Sequence, residues 1–278
     1  MKNILKIMLM MITIFTIAGS AVYAAEIPVS DQDQLITSSD WTEISNLQDE
    51  MKKEEPDATI DYDKALKVYV DCNLIKLQTA DTKKLTSALE SANYVWVIPF
   101  KMEKTYGMFT VAKGLPLREE AKSVLTKAEQ EEVKNHAGKW MITETAEHTV
   151  EPYYDILLEK REALSDCTRV VLVGSQPGMR QPVALGMDDE TARIWISLGY
   201  QYPVMEKIPE TQNVESGVYS FESVVEISDT YIEDSEVSTG AGVQSRSSMK
   251  YVAGIGIIVI GSILILSVLK KKKLEDYE

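Results

Sequence analysis

YVWVIPF, residues Tyr94 to Phe100, followed after a short turn by YGMFTVA, Tyr106 to Ala112, decides the fold class. Each run is short, apolar and rich in β-branched and aromatic residues, the composition of a strand. The polar break at Glu103–Thr105 is a turn, so the two runs read as a hairpin with antiparallel neighbours.

Helical and strand signals alternate on either side. Upstream, Asp81 opens a helix whose Leu85, Ala88 and Leu89 share a face. Before it, Ala65 to Asp71 (ALKVYVD) alternates as a strand does. Asp40 with Glu43 has the spacing of a capping box, and Trp41, Ile44, Leu47 and Met51 follow at helical spacing up to Pro56. Residues 25–38 are polar and are expected to be loose. Downstream, residues 117–136 read as a long charged helical stretch, with Thr126 and Glu129 able to restart it and Gly138 to end it. Lys139 to Ala146 is a strand. Pro152 suits a helix first turn, and that helix is expected to run to about Leu164. Strands follow at Arg169–Gly174, Val183–Gly186 and Ala192–Leu198, with a last one expected over Val218–Ile227.

The expectation is an α+β domain over residues 39–227, with an antiparallel or mixed sheet and about four helices. At an offset of 75, Ala88, Leu89, Val95, Val97 and Ile98 fall on Ala163, Leu164, Val170, Leu172 and Val173. A duplicated α-β-β unit would give two halves with a boundary near 116. Chance alignment of any helix followed by an apolar strand explains the match as well.

The ends of the chain speak to placement. Tyr251 to Leu269 is an uncharged run, YVAGIGIIVIGSILILSVL, and Lys270 to Lys273 follow at once. About 20 apolar residues span a bilayer as a helix, and flanking lysines favour the cytoplasmic side. Met1 to Ala24 has Lys2 and Lys6, an apolar centre and Val22-Tyr23-Ala24, as in a cleaved secretory signal. Residues 228–250 are rich in Ser, Thr, Gly and acids and read as a stalk, and residues 270–278 as a cytoplasmic tail. A bacterial sortase signal would need Leu-Pro-x-Thr-Gly, and the matching place, Glu236 to Gly240, keeps only Thr-Gly. The expected topology is single-pass, with the N-terminal domain outside.

Charge narrows the partners. Residues 1–24 hold two lysines, and residues 270–278 hold four lysines and three acids. That leaves 23 of the 29 basic and 40 of the 43 acidic residues in 25–250, about −17. Such a field repels nucleic acid. A protein, peptide or glycan ligand outside the cell is the partner expected, beside the membrane itself through Tyr251–Leu269.

Motifs for chemistry are sparse. His136 and His148 are the two histidines, and neither belongs to a metalloprotease arrangement. Gly174-Ser175-Gln176-Pro177-Gly178 follows a strand but leads into another, so it is a hairpin turn and not a nucleophile elbow. Asp31/Asp33, Asp61/Asp63 and Asp188-Asp189-Glu190 lack the ligand count of a calcium loop and suit turns and caps. Trp96, Trp140, Trp195 and Tyr153-Tyr154 are core residues or, if exposed, a stacking surface. Cys72 and Cys167 are either a disulfide, as an exterior location allows, or two buried thiols. No catalytic residue, metal ligand or cofactor is assigned. The expected function is non-catalytic binding or assembly at the outer membrane face. The alternatives are an anchored hydrolase with dispersed carboxylates and the sensing subunit of a membrane signalling complex.

Overall fold

The computed structural model describes residues 27–148, 151–174, 176, 182–199, 213–215 and 217–227. The signal segment, the stalk, the membrane run and the tail read from the sequence lie outside these. No helix among the described residues is long and apolar enough to cross a membrane.

The fold is α+β with a mixed ten-stranded sheet. Its strands are β1 (Thr59–Ile60), β2 (Leu66–Val70), β3 (Asn93–Lys101), β4 (Tyr106–Lys113), β5 (Trp140–His148), β6 (Arg169–Val173), β7 (Val183–Met187), β8 (Ala192–Ser197), β9 (Asn213–Glu215) and β10 (Val218–Ser220). Among the described residues five α-helices accompany them, besides a helical stretch at 221–227: α1 (Trp41–Ile44), α2 (Gln48–Glu54), α3 (Thr82–Glu90), α4 (Lys127–His136) and α5 (Tyr153–Glu159). The fifth arises because the helix opened near Asp40 is interrupted by a 3₁₀ turn at Ser45–Leu47.

The strand order is β5-β4-β3-β2-β6-β7-β8-β10-β9, with β1 pairing on β3. The hairpin read from the sequence is β3–β4, with Phe100 opposite Gly107. The Phe100 ring lies over Gly107 so closely that a Cβ there would fall 2.1 Å from it. Two antiparallel sets of strands, β2 to β5 and β6 to β10, meet at β2–β6, the one parallel strand pair among the described residues. A boundary near 116 does not divide this sheet, because β4 before it pairs with β5 after it. Nor does the offset of 75 mark a repeated unit. Helix α3 packs against Val171, Val173 and Trp195, whereas α5 packs on the opposite face against Val170, Leu172 and Ile196.

Alternation sorts each strand between the two faces. On one face Trp96, Ile98, Phe100, Phe109 and Val111 pack with Ile44 of α1 and Met51 of α2. On the same face, further along the sheet, Val171, Leu185 and Trp195 pack with Leu85 and Leu89 of α3. The other face gathers Leu66, Val68, Val97, Leu172, Ala184 and Val218 beneath Tyr153 and Leu157 of α5.

Several boundaries depart from expectation. Residues 221–227 are helical, so the last strand stops at Ser220; Phe221 and Val224 turn into the core beside Trp195. The charged stretch before Thr126 is a 3₁₀ turn at Glu120–Ser123, and only Lys127–His136 is α-helical. Thr126 and Glu129 form the expected capping box there. Helix α5 stops at Glu159, short of Leu164.

The largest departure is the N-terminal segment, which is not loose. Ile27, Val29, Asp33 and Leu35 are all buried. Strands β2 and β6 pair only at Val68–Leu172 and Tyr69–Val173. Beyond that they part, and the segment fills the gap. Val29 pairs with Val170 on the side away from β7, and Gln34 pairs with Leu66 on the side away from β3. The Val170 N–H donates to the Pro28 carbonyl at 2.8 Å, and the Leu35 N–H to the Ala65 carbonyl at 3.2 Å. Ile27 and Val29 join the core of one face and Leu35 that of the other, so the segment threads through the sheet.

Candidate functional site: a buried charge cluster at the sheet seam

Lys67 and Tyr69 alternate with Leu66 and Val68 along β2, and the register sets them beside Trp96 and Tyr94 of β3. Arg169 opens β6, and Asp33 closes a 3₁₀ turn, Asp31–Asp33, in the threaded segment. Asp33 is 2% exposed, yet it is ringed by donors. Its Oδ2 accepts from Arg169 Nη2 at 3.0 Å and from the Ser30 hydroxyl at 2.6 Å. Its Oδ1 accepts from the Tyr69 hydroxyl at 2.8 Å and lies 3.7 Å from Lys67 Nζ.

Lys67 is itself 9% exposed, and its ammonium lies 4.6 Å from the Tyr94 ring centre and 5.2 Å from that of Trp96. Cation–π attraction strengthens as the cation is desolvated. Asp40 extends the cluster. Its Oδ2 accepts from the Tyr94 hydroxyl at 2.9 Å and from Trp96 Nε1 at 3.0 Å. The expected capping box is therefore absent: the Asp40 side chain makes no cap bond because it is drawn onto β3.

Burial is the largest influence on Lys67, Tyr69 and Tyr94. Desolvation pushes the Lys67 ammonium below its ordinary value, against the pull of Asp33 and Asp40. Burial, and then the neighbouring carboxylates, raise both phenols, Tyr94 to about 12. Both tyrosines therefore stay protonated as donors at neutral pH. Two cations, two carboxylates, two phenols and an indole engage one another across β2, β3, β6 and the threaded segment. Desolvation of the ions opposes their attraction, so the cluster's net contribution to stability is small.

Of the residues singled out in the sequence, Asp33 and Trp96 belong to this cluster and the others fall elsewhere. Cys72 and Cys167 are free thiols. They cannot pair, because Cys72 follows the end of β2 and Cys167 precedes the start of the parallel β6. About 16 Å of strand lies between those ends, and the two thiols pack on opposite faces. Burial pushes the Cys72 thiol up to about 12 and the Cys167 thiol up to about 11, so both are protonated at neutral pH. Thermal unfolding with and without dithiothreitol is expected to give the same Tm; a drop of several degrees on reduction would show a bridge.

The acidic groups divide. Asp188 serves a turn: Oδ1 accepts the Thr191 N–H at 2.6 Å and the Glu190 N–H at 2.8 Å, and Oδ2 accepts from Arg193. These bonds hold its carboxyl down at about 2. The stabilisation they bring is present above the ordinary carboxylate value and is lost as pH falls through about 2. A ¹³C titration should place the Asp188 midpoint near 2, and Arg193→Ala should move it upward; a wild-type midpoint near 3.8 would contradict these bonds. Asp61 lies 3.8 Å from Lys64, which pairs more closely, at 2.8 Å, with Asp155. Asp33, by contrast, belongs to the buried cluster.

Gly174 and Gln176 sit in the connection between the antiparallel β6 and β7, as expected of a hairpin turn. Gln176 donates to the Cys72 and Gly174 carbonyls and accepts the Leu74 N–H. Ser175 and residues 177–181 lie outside the described residues. Trp96, Trp140 and Trp195 are buried, and Tyr153 with them. Among the described residues, no group of three or more His, Cys, Asp or Glu is placed to hold a metal ion.

Sequence reasoning missed the cluster as a unit. One signal was present: Lys67 interrupts an otherwise apolar strand at the same parity as Tyr69, which calls for a buried counter-charge. Compared with known protein families, characterised proteins and solved structures, the chain matches none.

Proposed function

We propose that the protein is a single-pass surface protein whose extracytoplasmic α+β domain acts by binding or assembly. The observation that carries this reading is the uncharged run Tyr251–Leu269 abutting Lys270–Lys273, with the signal-like Met1–Ala24 at the other end. The seam cluster supports it from the domain side. Asp33 is engaged by Lys67 and Arg169, and Asp40 by Tyr94 and Trp96, across the seam of the two sets of strands. The acidic exterior, about −17 over residues 25–250, keeps the domain soluble and turns nucleic acid away.

Labelling of intact cells with a membrane-impermeant amine reagent tests the topology. Lysines in residues 39–227 should be modified while Lys270–Lys273 stay unmodified until the membrane is opened. Equal labelling of both groups, or of neither, would sink the anchored reading. Pull-down from detergent with the full chain tests the binding role.

A further inference from the structure

We infer that residues 115–137 form an arm that unfolds and refolds apart from the sheet, and that this arm is a cleavage site for endopeptidases that cut after basic residues. The inference goes beyond the surface-binding reading above and stands whether or not the chain is anchored.

The arm links β4 to β5 and puts nothing into the core. No described side chain from Leu115 to Lys139 is buried. Leu115, Leu117, Val124, Leu125 and Val133 belong to none of the apolar clusters of the described residues, and Val124 is 71% exposed. The bonds that shape the arm are local. Lys122 pairs with Glu119 and Lys134 with Glu131. Thr126 and Glu129 cap one another, and Gln130 Nε2 donates to the Lys122 and Leu125 carbonyls. Helix α4 has ten residues. A helix that short is marginal in water when no face of it is packed. Helix α3 is no longer, at nine residues, but Leu85 and Leu89 fix it in the core.

The neck of the arm does not depend on the arm. Strands β4 and β5 stay paired up to Lys113 opposite Trp140. Beyond that, the Gly114 N–H donates to the Lys139 carbonyl at 2.9 Å, and the Gly138 N–H to the Gly114 carbonyl at 2.8 Å. Gly138 takes a φ of +76°, and a Cβ on Gly114 would fall 2.1 Å from the His136 carbonyl oxygen. The chain thus leaves and re-enters the sheet at one closed point. The arm can open without parting the strands, and the segments with least packing open first.

Arg118, Lys122 and Lys127 are exposed along this arm. Cleavage of a folded protein follows the population of its locally open form. Hydrolysis after Lys122 adds one water across the peptide bond. The C–N bond breaks, leaving a carboxylate on Lys122 and an ammonium on Ser123. One piece keeps β4 and the other β5, so their pairing holds the nicked domain together.

Limited digestion of the full chain in detergent with trypsin, read by mass spectrometry, tests this. Among cuts within residues 27–148, those after Arg118, Lys122 or Lys127 should come about tenfold or more faster than those after Lys83, Lys84 or Lys104. The two pieces should run as one species on gel filtration and separate only in denaturant. Slower cutting in the arm, or pieces that part without denaturant, would overturn the inference. A second variant replaces residues 115–138 by Asn-Gly, joining Gly114 to Lys139 through a two-residue hairpin turn. Its Tm should be unchanged or higher, because a shorter loop costs less to close. A lower Tm, or failure to fold, would show that the arm is part of the cooperative domain.

Discussion

Asp33→Ala should destabilise the protein by about 3–5 kcal/mol, the range for removing one partner of a buried ion pair. For a domain of about 200 residues that is a fall in Tm of about 6–20 °C. The reason lies in what stays behind. Lys67 and Arg169 would share the seam without the carboxylate that now lies 3.7 and 3.0 Å from them. Asp33→Asn keeps the shape and an acceptor, and should lose less. Replacing the cluster together, as Asp33→Leu, Lys67→Met and Arg169→Leu, should lose far less than the three single changes added up. A pH signature goes with it. Lys67 titrates below its unfolded value, so stability on its account is lowest at neutral pH and rises as pH climbs toward 10.5. Without Asp33 that ammonium is pushed down further. The deficit of Asp33→Ala should therefore shrink at alkaline pH. Urea unfolding at pH 7 and pH 9.5 measures both effects; a loss under 1 kcal/mol at pH 7 would mean that Asp33 does not hold the seam.

Trp96→Ala should cost about 3–5 kcal/mol. Trp96 is fully buried, stands beside Lys67 and donates its indole N–H to Asp40. Truncation leaves a cavity between the sheet and the helices α1 and α2. It also takes from Lys67 one of its rings and from Asp40 one of its donors. Trp96→Phe restores most of the volume but not the donor, and should lose about 1–3 kcal/mol, the penalty of an under-satisfied buried acceptor. Equal losses in the two variants would place the whole effect in the hydrogen bond and none in packing.

Much of the domain was legible because period and punctuation agreed. YVWVIPF and YGMFTVA are apolar, turn-bounded and paired as a hairpin, and they became β3 and β4. Asp81 and Thr126 cap helices through local side-chain bonds, which need no tertiary information. Asp40 has the same local pattern and fails, because Tyr94 and Trp96 compete for its carboxylate from 54 and 56 residues away. Residues 25–38 misled for a related reason. Their polar composition describes a solvated loop, whereas Val29 and Leu35 are held by pairing with distant strands, and Asp33 by two distant cations. Parallel pairing of β2 with β6 leaves no trace in either strand alone, so the seam and its cluster stayed out of reach. Val218 to Ile227 is β-branched enough for strand or helix, and burial of Phe221 and Val224 beside Trp195 goes with the helix at 221–227.

The threading of residues 27–35 also orders events in time. Synthesis delivers this segment before any strand of the sheet, yet its partners arrive across the whole chain. Ala65 and Leu66 come first, and Arg169 and Val170 come more than a hundred residues later. The first meander, β2 to β5, is therefore complete while the seam is still open. Contacts of such long separation are slow to close. The earliest-made part of the domain is thus the last to be locked.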